Sequence, residues 1–323
     1  MSIKNPLVSI VVPVLNEERY LRNCLQSLYN LDYPSQSLEI IVVDNGSCDN
    51  SMNIAKEYPV KIFEKPGVKV GAVRNYGASK AKGVIIVFLD SDCVVEPHWL
   101  SEGINKMELK QKATIGGQCL IRENPSWIEK YWVLNSSREI IHEKNLLGSC
   151  IFIRREVLNN IGQFDESLNS GEDNELSERL RKEGYSVEID PSLSVVHLGY
   201  PTTIKGFIRR QAWHSVDCVA QLPHSFRDKI FLLSIAYTLG IFGLFLWPFF
   251  GVKFLALFLG FVLLPPAIIS IKRIYRSKAE IRFYEFFYIY FIDILYLTGR
   301  AIGIVNGMKA FFLPKSNKKI SKA

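Results

Sequence analysis

Residues 230–252 and 254–271 are two long apolar runs without a single charged side chain, separated only by Lys253. At 1.5 Å per residue they would form helices about 34 and about 27 Å long, each near the roughly 30 Å hydrocarbon layer of a bilayer. Buried core helices would need a domain around them, and the remainder of the chain beyond these runs is short and basic. Two membrane-crossing helices are therefore expected, with Pro248, Pro265 and Pro266 tolerable near helix ends or as kinks.

The formal net charge of +7 sits almost entirely in this part of the chain. Residues 1–229 hold 27 Lys and Arg against 29 Asp and Glu, whereas residues 230–323 hold 12 against 3. A nucleic-acid-binding domain would carry its positive charge on the folded body, so no nucleic-acid partner is expected. A basic tail beside apolar runs points to a membrane surface. A third stretch, 283–305, is rich in aromatics but carries Glu285, Asp293 and Arg300. Charges are disfavoured at hydrocarbon depth, so this stretch is expected to lie in the interface or fold back into it. The clusters Lys272, Arg273, Arg276, Lys278, Arg282 before it and Lys309, Lys315, Lys318, Lys319, Lys322 after it both favour the cytoplasmic side, which asks for an even number of crossings between them.

The apolar run 7–15 contains Pro13 and leads at once into Asn16-Glu17-Glu18-Arg19, unlike a secretory signal. The large domain is expected to stay in the cytoplasm, on a multi-pass membrane protein. The six cysteines (Cys24, Cys48, Cys93, Cys119, Cys150, Cys218) form no C-x-x-C pair, which suits reduced thiols better than a disulfide framework or a zinc site. Composition divides the chain into a large domain over 1–200, an amphipathic connector over 201–229 that would lie on the membrane, and a membrane region over 230–323.

Over the first 120 or so residues, short apolar runs alternate with amphipathic ones, the pattern of βαβ units around a largely parallel sheet. Strands are expected at 8–15, 38–43, 60–63 and 84–89, and helices at 17–30, 51–57 and 71–82. Further strands are expected at 113–120, 146–153, 186–189 and 193–196, with a helix around 173–182. Segment 122–144 has no clear period and is treated as variable and acceptor-facing. In such sheets ligands bind beyond the carboxyl ends of the strands, and three of these ends are polar: Asn16-Glu17, Asp44-Asn45-Gly46-Ser47 and Asp90-Ser91-Asp92.

The third of these is the sharpest. In VFLDSDCVV (87–95), an apolar run ends in Asp90 and Asp92, one residue apart. On an extended chain the two carboxylates face the same side, and a divalent cation between them would relieve their repulsion. A polar turn after a buried strand would also read D-x-D, so the motif alone is weak. Its context adds Gly77 inside a helical pattern, where glycine costs about 1 kcal/mol against alanine, and Arg74, whose planar fork suits phosphate oxygens.

Four ordered blocks, VSIVVPVLNEERYLRNCLQSL, IIVVDNGSCDNS, GAVRNYGASKAKGVIIVFLDSD and FDESLNSGEDNELSERLRKEGY, resemble the nucleotide-sugar glycosyltransferases of family 2, over roughly residues 7–200. The resemblance implies the GT-A fold, an α/β Rossmann-like mixed sheet, with a membrane anchor appended. It implies that Pro13 and Glu17 line the nucleotide pocket, that Asp44 recognises the base, commonly uracil, and that Asp90 sits near ribose and metal. Asp92 would be the main ligand of a divalent cation, Mg²⁺ or Mn²⁺, which stabilises the departing diphosphate. Glu172 and Asp173 match an E-D motif, with Asp173 the general base. Acids in a first helical turn are favoured by the macrodipole whatever their role, but Asp173 shares a face with Leu176 and Leu180 and so should look inward. His197 corresponds to a histidine near the metal in many members. Asn45 stands where a second Asp is frequent, and RRQAWH (209–214) lacks the Q-x-x-R-W spacing of processive polysaccharide synthases.

The expected function is inverting, metal-dependent transfer of one sugar from a nucleoside-diphosphate sugar, a UDP-sugar by the resemblance, to a lipid-linked glycan or other saccharide acceptor of a cell-envelope polysaccharide precursor. A polyprenyl-phosphate sugar synthase, whose acceptor is the lipid phosphate, is the rival enzyme. A non-catalytic nucleotide-sugar-binding scaffold is the rival from outside catalysis, and a nucleotidyltransferase leaves the E-D helix and the membrane tail without a role.

Overall fold

A computed structural model describes residues 5–134, 144–219, 222, 224–277 and 279–312. Residues 135–143 of the acceptor-facing segment, Lys278 and the basic end from Lys315 onward lie outside the described residues. The chain divides into two compact units, Met1–Asn124 with Asn135–Tyr200, and Pro125–Leu134 with Pro201–Ala323.

The first unit opens with β1 (Val8–Val14), α1 (Leu21–Tyr29), β2 (Leu38–Asp44), α2 (Ser51–Ala55), β3 (Lys61–Glu64), α3 (Val70–Lys80) and β4 (Ile85–Leu89). β5 (Cys93–Val94), α4 (Trp99–Leu109), β6 (Ala113–Gly116) and β7 (Cys119–Leu120) come next, and then α5 (Trp127–Val133), which belongs to the second unit. β8 (Cys150–Arg154), α6 (Arg155–Asn160), α7 (Glu172–Lys182), β9 (Ser186–Ile189) and β10 (Val195–His197) complete the first unit. The main sheet runs β3-β2-β1-β4-β8-β6-β9 and is mixed: β8 is antiparallel to both β4 and β6, while the other pairs are parallel. A small second sheet, β5-β10-β7, carries the end of the first unit.

Both faces of the main sheet are covered. Val8, Ile10, Val12 and Val14 of β1 pack with Leu21, Leu25 and Leu28 of α1 and with Trp99, Leu100 and Ile104 of α4. Val11 of the same strand points the other way and joins Val73 of α3, Leu158 of α6 and Leu176 of α7. This two-sided burial is why the strands read as nearly continuous apolar runs. At Gly77 a Cβ would lie 2.4 Å from Cγ1 of Val11, so the glycine inside α3 lets the helix seat directly on the sheet.

Several boundaries differ from expectation for identifiable reasons. The expected strand 113–120 is two strands in two sheets, broken at Gly116-Gly117; a Cβ at Gly117 would sit 1.8 Å from the carbonyl oxygen of Leu193. α1 begins at Leu21, after a turn in which the Tyr20 and Leu21 N–H groups donate to Glu17 O and Tyr20, at φ −121°, lies outside helical geometry. His197 lies within its strand, not after it.

The second unit contains α5, α8 (Ile204–Ser215), α9 (Lys229–Phe250), α10 (Lys253–Ser277) and α11 (Phe283–Phe312). Three of its helices are long and apolar enough to cross a membrane by length and composition, over Lys229–Phe249, Lys253–Ser277 and Phe283–Lys309. α11 is one continuous helix, and two of its four charged side chains, Glu285 and Asp293, pair inside the unit. Asp293 is fully buried, pairs with Arg273 at 2.5 Å and accepts from Ser270. Arg273 also donates to the carbonyls of Tyr131 and Trp132 at the end of α5, and Glu285 pairs with Lys130 of α5. α8 lies along the second half of α11. Gly299, Gly303 and Gly307, one per turn, each leave room that a Cβ would fill with atoms of α8 and the residues just after it.

Candidate active site

The polar ends of β1 and β2 are laced together. Asn16 N–H donates to Ser47 Oγ and Glu17 N–H to Ser51 Oγ, while Cys48 N–H donates to Asn16 Oδ1. Asp44, buried at the end of β2, accepts from Ser47 N–H at 2.9 Å. Pro13 is buried opposite Val43, beyond the point where β4 last pairs with β1, and Glu17 is half-buried in the loop after β1. Asn45 uses both ends of its amide: Nδ2 donates to Val68 O at 2.8 Å and Oδ1 accepts from Val68 N–H at 3.0 Å. A carboxylate could not make the first of these bonds, which accounts for Asn rather than Asp here.

Asp90 and Asp92 do not lie side by side on an extended strand. Cys93 N–H donates to Asp90 O and closes a turn, so the two carboxylates part, and each meets its own basic group. Asp90 pairs with Arg74 at 2.7 Å. Asp92 approaches His197 Nε2 at 3.4 Å. The positive charge expected between the two acids is thus partly supplied by the chain itself. Arg74, expected to reach a phosphate, is 3% exposed and committed to carboxylates, since it also pairs with Glu172 at 2.5 Å. Burial alone would lower the pKa of this guanidinium, and Asp90 and Glu172 more than reverse that.

Asp173 stands next to this pair at the start of α7. Gly148 N–H donates to its Oδ2 at 2.9 Å and Asn174 N–H to its Oδ1 at 2.8 Å. Leu176 and Leu180 on its face are fully buried, as the helical spacing requires, yet the deeper acid is Glu172, drawn in by Arg74. Burial, and then the charge of Glu172, push the Asp173 carboxyl above the usual aspartate range, against the pull of Gly148 and Arg74. Such a shift suits a group that takes a proton near neutral pH.

Among the described residues, ligand atoms of Asp92, Cys93 and His197 lie within 4.8 Å of one another, and Asp90 stands apart from them. Burial, and then neighbouring Cys119 and Asp92, drive the Cys93 thiol well up, so it stays protonated and faces the Asp92 carboxylate as a weak donor. A carboxylate oxygen and an imidazole nitrogen without a thiolate fit a hard Mg²⁺ or Mn²⁺ better than a thiolate-bound metal. Three residues here carry roles that their sequence context did not announce. Gly148 holds Asp173 and leaves space for Arg74, whose Nη2 would lie 2.4 Å from a Cβ there. Gly199 has Asp92 Oδ2 where its Cβ would be. Arg122 donates to Leu198 O, and Leu198 N–H donates to Asp92 O, which ties β7 to the metal-site loop.

Residues 9–162 match the sequence profile of glycosyl transferase family 2. The chain is 29% identical over 193 residues to the glycosyltransferase AglE of Haloferax volcanii, a match that covers 56% of this chain and 64% of that protein, so this chain spans less than two thirds of that relative. It is 25% identical over 232 residues to a dolichyl N-acetyl-α-D-glucosaminyl phosphate 3-β-D-2,3-diacetamido-2,3-dideoxy-β-D-glucuronosyltransferase of Methanococcus voltae, covering 63% and 70%. Its fold is similar to that of the mannosyltransferase PcManGT of Pyrobaculum calidifontis, whose structure holds GDP-Man and Mn²⁺, with a TM-score of 0.57, 17% identity and 97% and 88% of the two chains covered. With the mixed sheet, the split acid pair and the E-D helix already in place, the profile match identifies a glycosyl transferase family 2 domain over residues 9–162 of the chain.

Proposed function

We propose that this protein transfers one sugar from a nucleoside-diphosphate sugar to a lipid-linked acceptor at the cytoplasmic face of a membrane, with inversion at the transferred carbon. The observation that carries this is the Arg74 bridge, which draws the acid at the end of β4 together with the acid pair that opens α7. Donor-side and acceptor-side carboxylates are thereby held together by one guanidinium near the carboxyl end of β4, where ligands of such sheets bind.

Asp44, Pro13 and Glu17 hold the nucleotide, with uracil the favoured base, and Asp90 lies toward the ribose. Asp92 and His197 would hold a divalent cation, which would supply Lewis-acid stabilisation of the departing diphosphate. Asp173 takes the proton of the attacking hydroxyl, with Glu172 beside it to keep its pKa raised. A GDP-sugar and Mn²⁺ in one structural neighbour and a lipid phosphate in the name of one relative support the donor and acceptor classes. The apolar helices support membrane attachment.

The test is release of nucleoside diphosphate from a panel of UDP- and GDP-sugars by detergent-purified protein, with Mn²⁺ and lipid-linked or soluble acceptors. Turnover should require Mn²⁺ and disappear in Asp92→Ala. Turnover of a soluble acceptor, with none of any lipid-linked one, would overturn the acceptor assignment. Full activity in Asp173→Asn would favour direct transfer to a lipid phosphate, which needs no strong base.

A further inference from the structure

α11 has the length and composition of a third crossing helix beside α9 and α10. Its packing within the unit gives it a different course. α9 and α10 form an antiparallel hairpin: a Cβ at Gly243 would meet the Phe258 ring, and one at Gly240 would meet Phe261 and Val262. The start of α9 therefore stands level with the last turns of α10. α11 touches both helices at that end. Asp293 pairs with Arg273 at 2.5 Å and accepts from Ser270 at 2.7 Å, both on α10, while Ile304 shares an apolar cluster with Phe231 at the start of α9. Asp293 and Ile304 are eleven residues apart, about 16 Å of helix. A helix running alongside the hairpin would have moved that same distance along it between the two contacts, yet both meet it at one level. α11 thus crosses the end of the hairpin. Two contacts deeper in the hairpin, Tyr290 Oη to Leu263 O and Tyr237 Oη with Thr298 Oγ1, both at 3.0 Å, are made at the tips of long side chains.

At 30 residues α11 is about 45 Å long, half as long again as the roughly 30 Å hydrocarbon layer. α8 runs beside it in the same direction, since Gly299, Gly303 and Gly307 meet Ile208, Ala212 and Val216 in turn. Phe283, Phe287, Tyr288, Phe291, Ile302 and Met308 are exposed, and at helical spacing they fall on one side of α11. Glu285 and Asp293 point away from that side, into the unit. Arg282 and Lys309, both exposed, bracket the stripe, and α8 exposes Lys205, Arg209 and Trp213. Aromatic side chains bordered by basic ones match the layer where anionic headgroups meet acyl chains, in polarity and in charge.

We propose that α11 and α8 lie in the plane of the membrane across one end of the hairpin, with the stripe of α11 seated among the headgroups and upper acyl chains of the bilayer, and that α9 and α10 alone cross. This rests on the membrane attachment proposed above and is independent of sugar transfer. Both ends of α11 then lie on the side of the membrane from which the hairpin enters.

Single cysteines in the full-length protein, on a Cys48→Ser, Cys218→Ser background, test this course in sealed membrane vesicles with a maleimide that does not cross membranes; the background protein is the blank. Arg282→Cys and Lys309→Cys should be labelled from the same side, and Val252→Cys, at the hairpin turn, from the other side only. If Lys309→Cys does not fold, Asn306→Cys, exposed in the same turn, takes its place. Labelling of Arg282→Cys and Lys309→Cys from opposite sides makes α11 a third span and overturns the proposal. Labelling of all three from one side overturns the crossing hairpin, a failure of the attachment reading that this pattern alone would give. Depth is the second readout. A bimane label on Phe283→Cys and on Ile302→Cys should be quenched more by phospholipid brominated close to the headgroup than by phospholipid brominated near the chain end, and equally at both positions. Stronger quenching of Ile302→Cys by the deep bromine, or no quenching of either label, overturns the in-plane seat.

Discussion

At the scale of single residues, the site rests on paired charges. Arg74 and Glu172 are both buried, so Arg74→Met would leave Glu172 without a cation and should destabilise the protein by about 3–5 kcal/mol. Chemical denaturation monitored by tryptophan fluorescence measures this. Asp173 behaves in the opposite sense. Because burial and Glu172 raise its pKa, its ionised form is disfavoured in the fold. That penalty is absent below the unfolded value of about 4 and complete once pH exceeds the folded value. Asp173→Asn should therefore leave the melting temperature at pH 7 unchanged or higher while lowering turnover by roughly 10²–10⁴. The acid limb of the native pH–rate profile should lie above the ordinary aspartate value; a limb at or below about 4 would exclude Asp173 as the base. Gly199→Ala puts a methyl group where Asp92 Oδ2 now is. It should raise the Mn²⁺ concentration needed for half-maximal turnover while nucleotide binding without metal stays the same.

At the scale of elements, close approach decides more than propensity does. α3 reaches the sheet because Gly77 has no side chain, and α8 reaches α11 because three glycines four residues apart give it a groove. Within the amphipathic connector expected over 201–229, this groove packs α8 against α11. Gly303→Leu would drive a side chain into Ser215 and the carbonyl of Ala212. Faster amide exchange across 204–215, with exchange in β1 and β4 unchanged, is the expected result. α5 had a legible signal in Ser126 and Glu129, which form a complete capping box. Its aromatic content hid the period, since Trp127, Tyr131 and Trp132 serve contacts to α11 and not an amphipathic stripe of their own.

At the scale of the whole molecule, α9 and α10 expose Phe245, Phe249, Leu263 and Leu264, side chains that only a lipid phase would accommodate in number. The protein should remain in the membrane pellet after alkaline carbonate and leave it only with detergent; release by carbonate alone would place these helices on the surface. α11 is long enough to span, yet more than half of its apolar window is covered within the unit, against a third or less for the other two.

The alternation of apolar runs already fixes a two-sided α/β sheet, because residues buried on both faces leave no other composition for a strand, and uncharged runs of bilayer length already mark helices long and apolar enough to cross a membrane. Asp44, Asp90, Asp92, Asp173 and His197 are nominated as candidates by residue type and local spacing alone. What pairs with what could not. That Arg74 holds Asp90 and Glu172, that Asp92 turns toward His197, and that Arg273 holds Asp293 all depend on contacts between residues far apart in the chain. Electrostatic partners are chosen by distance in space, which tertiary packing alone sets.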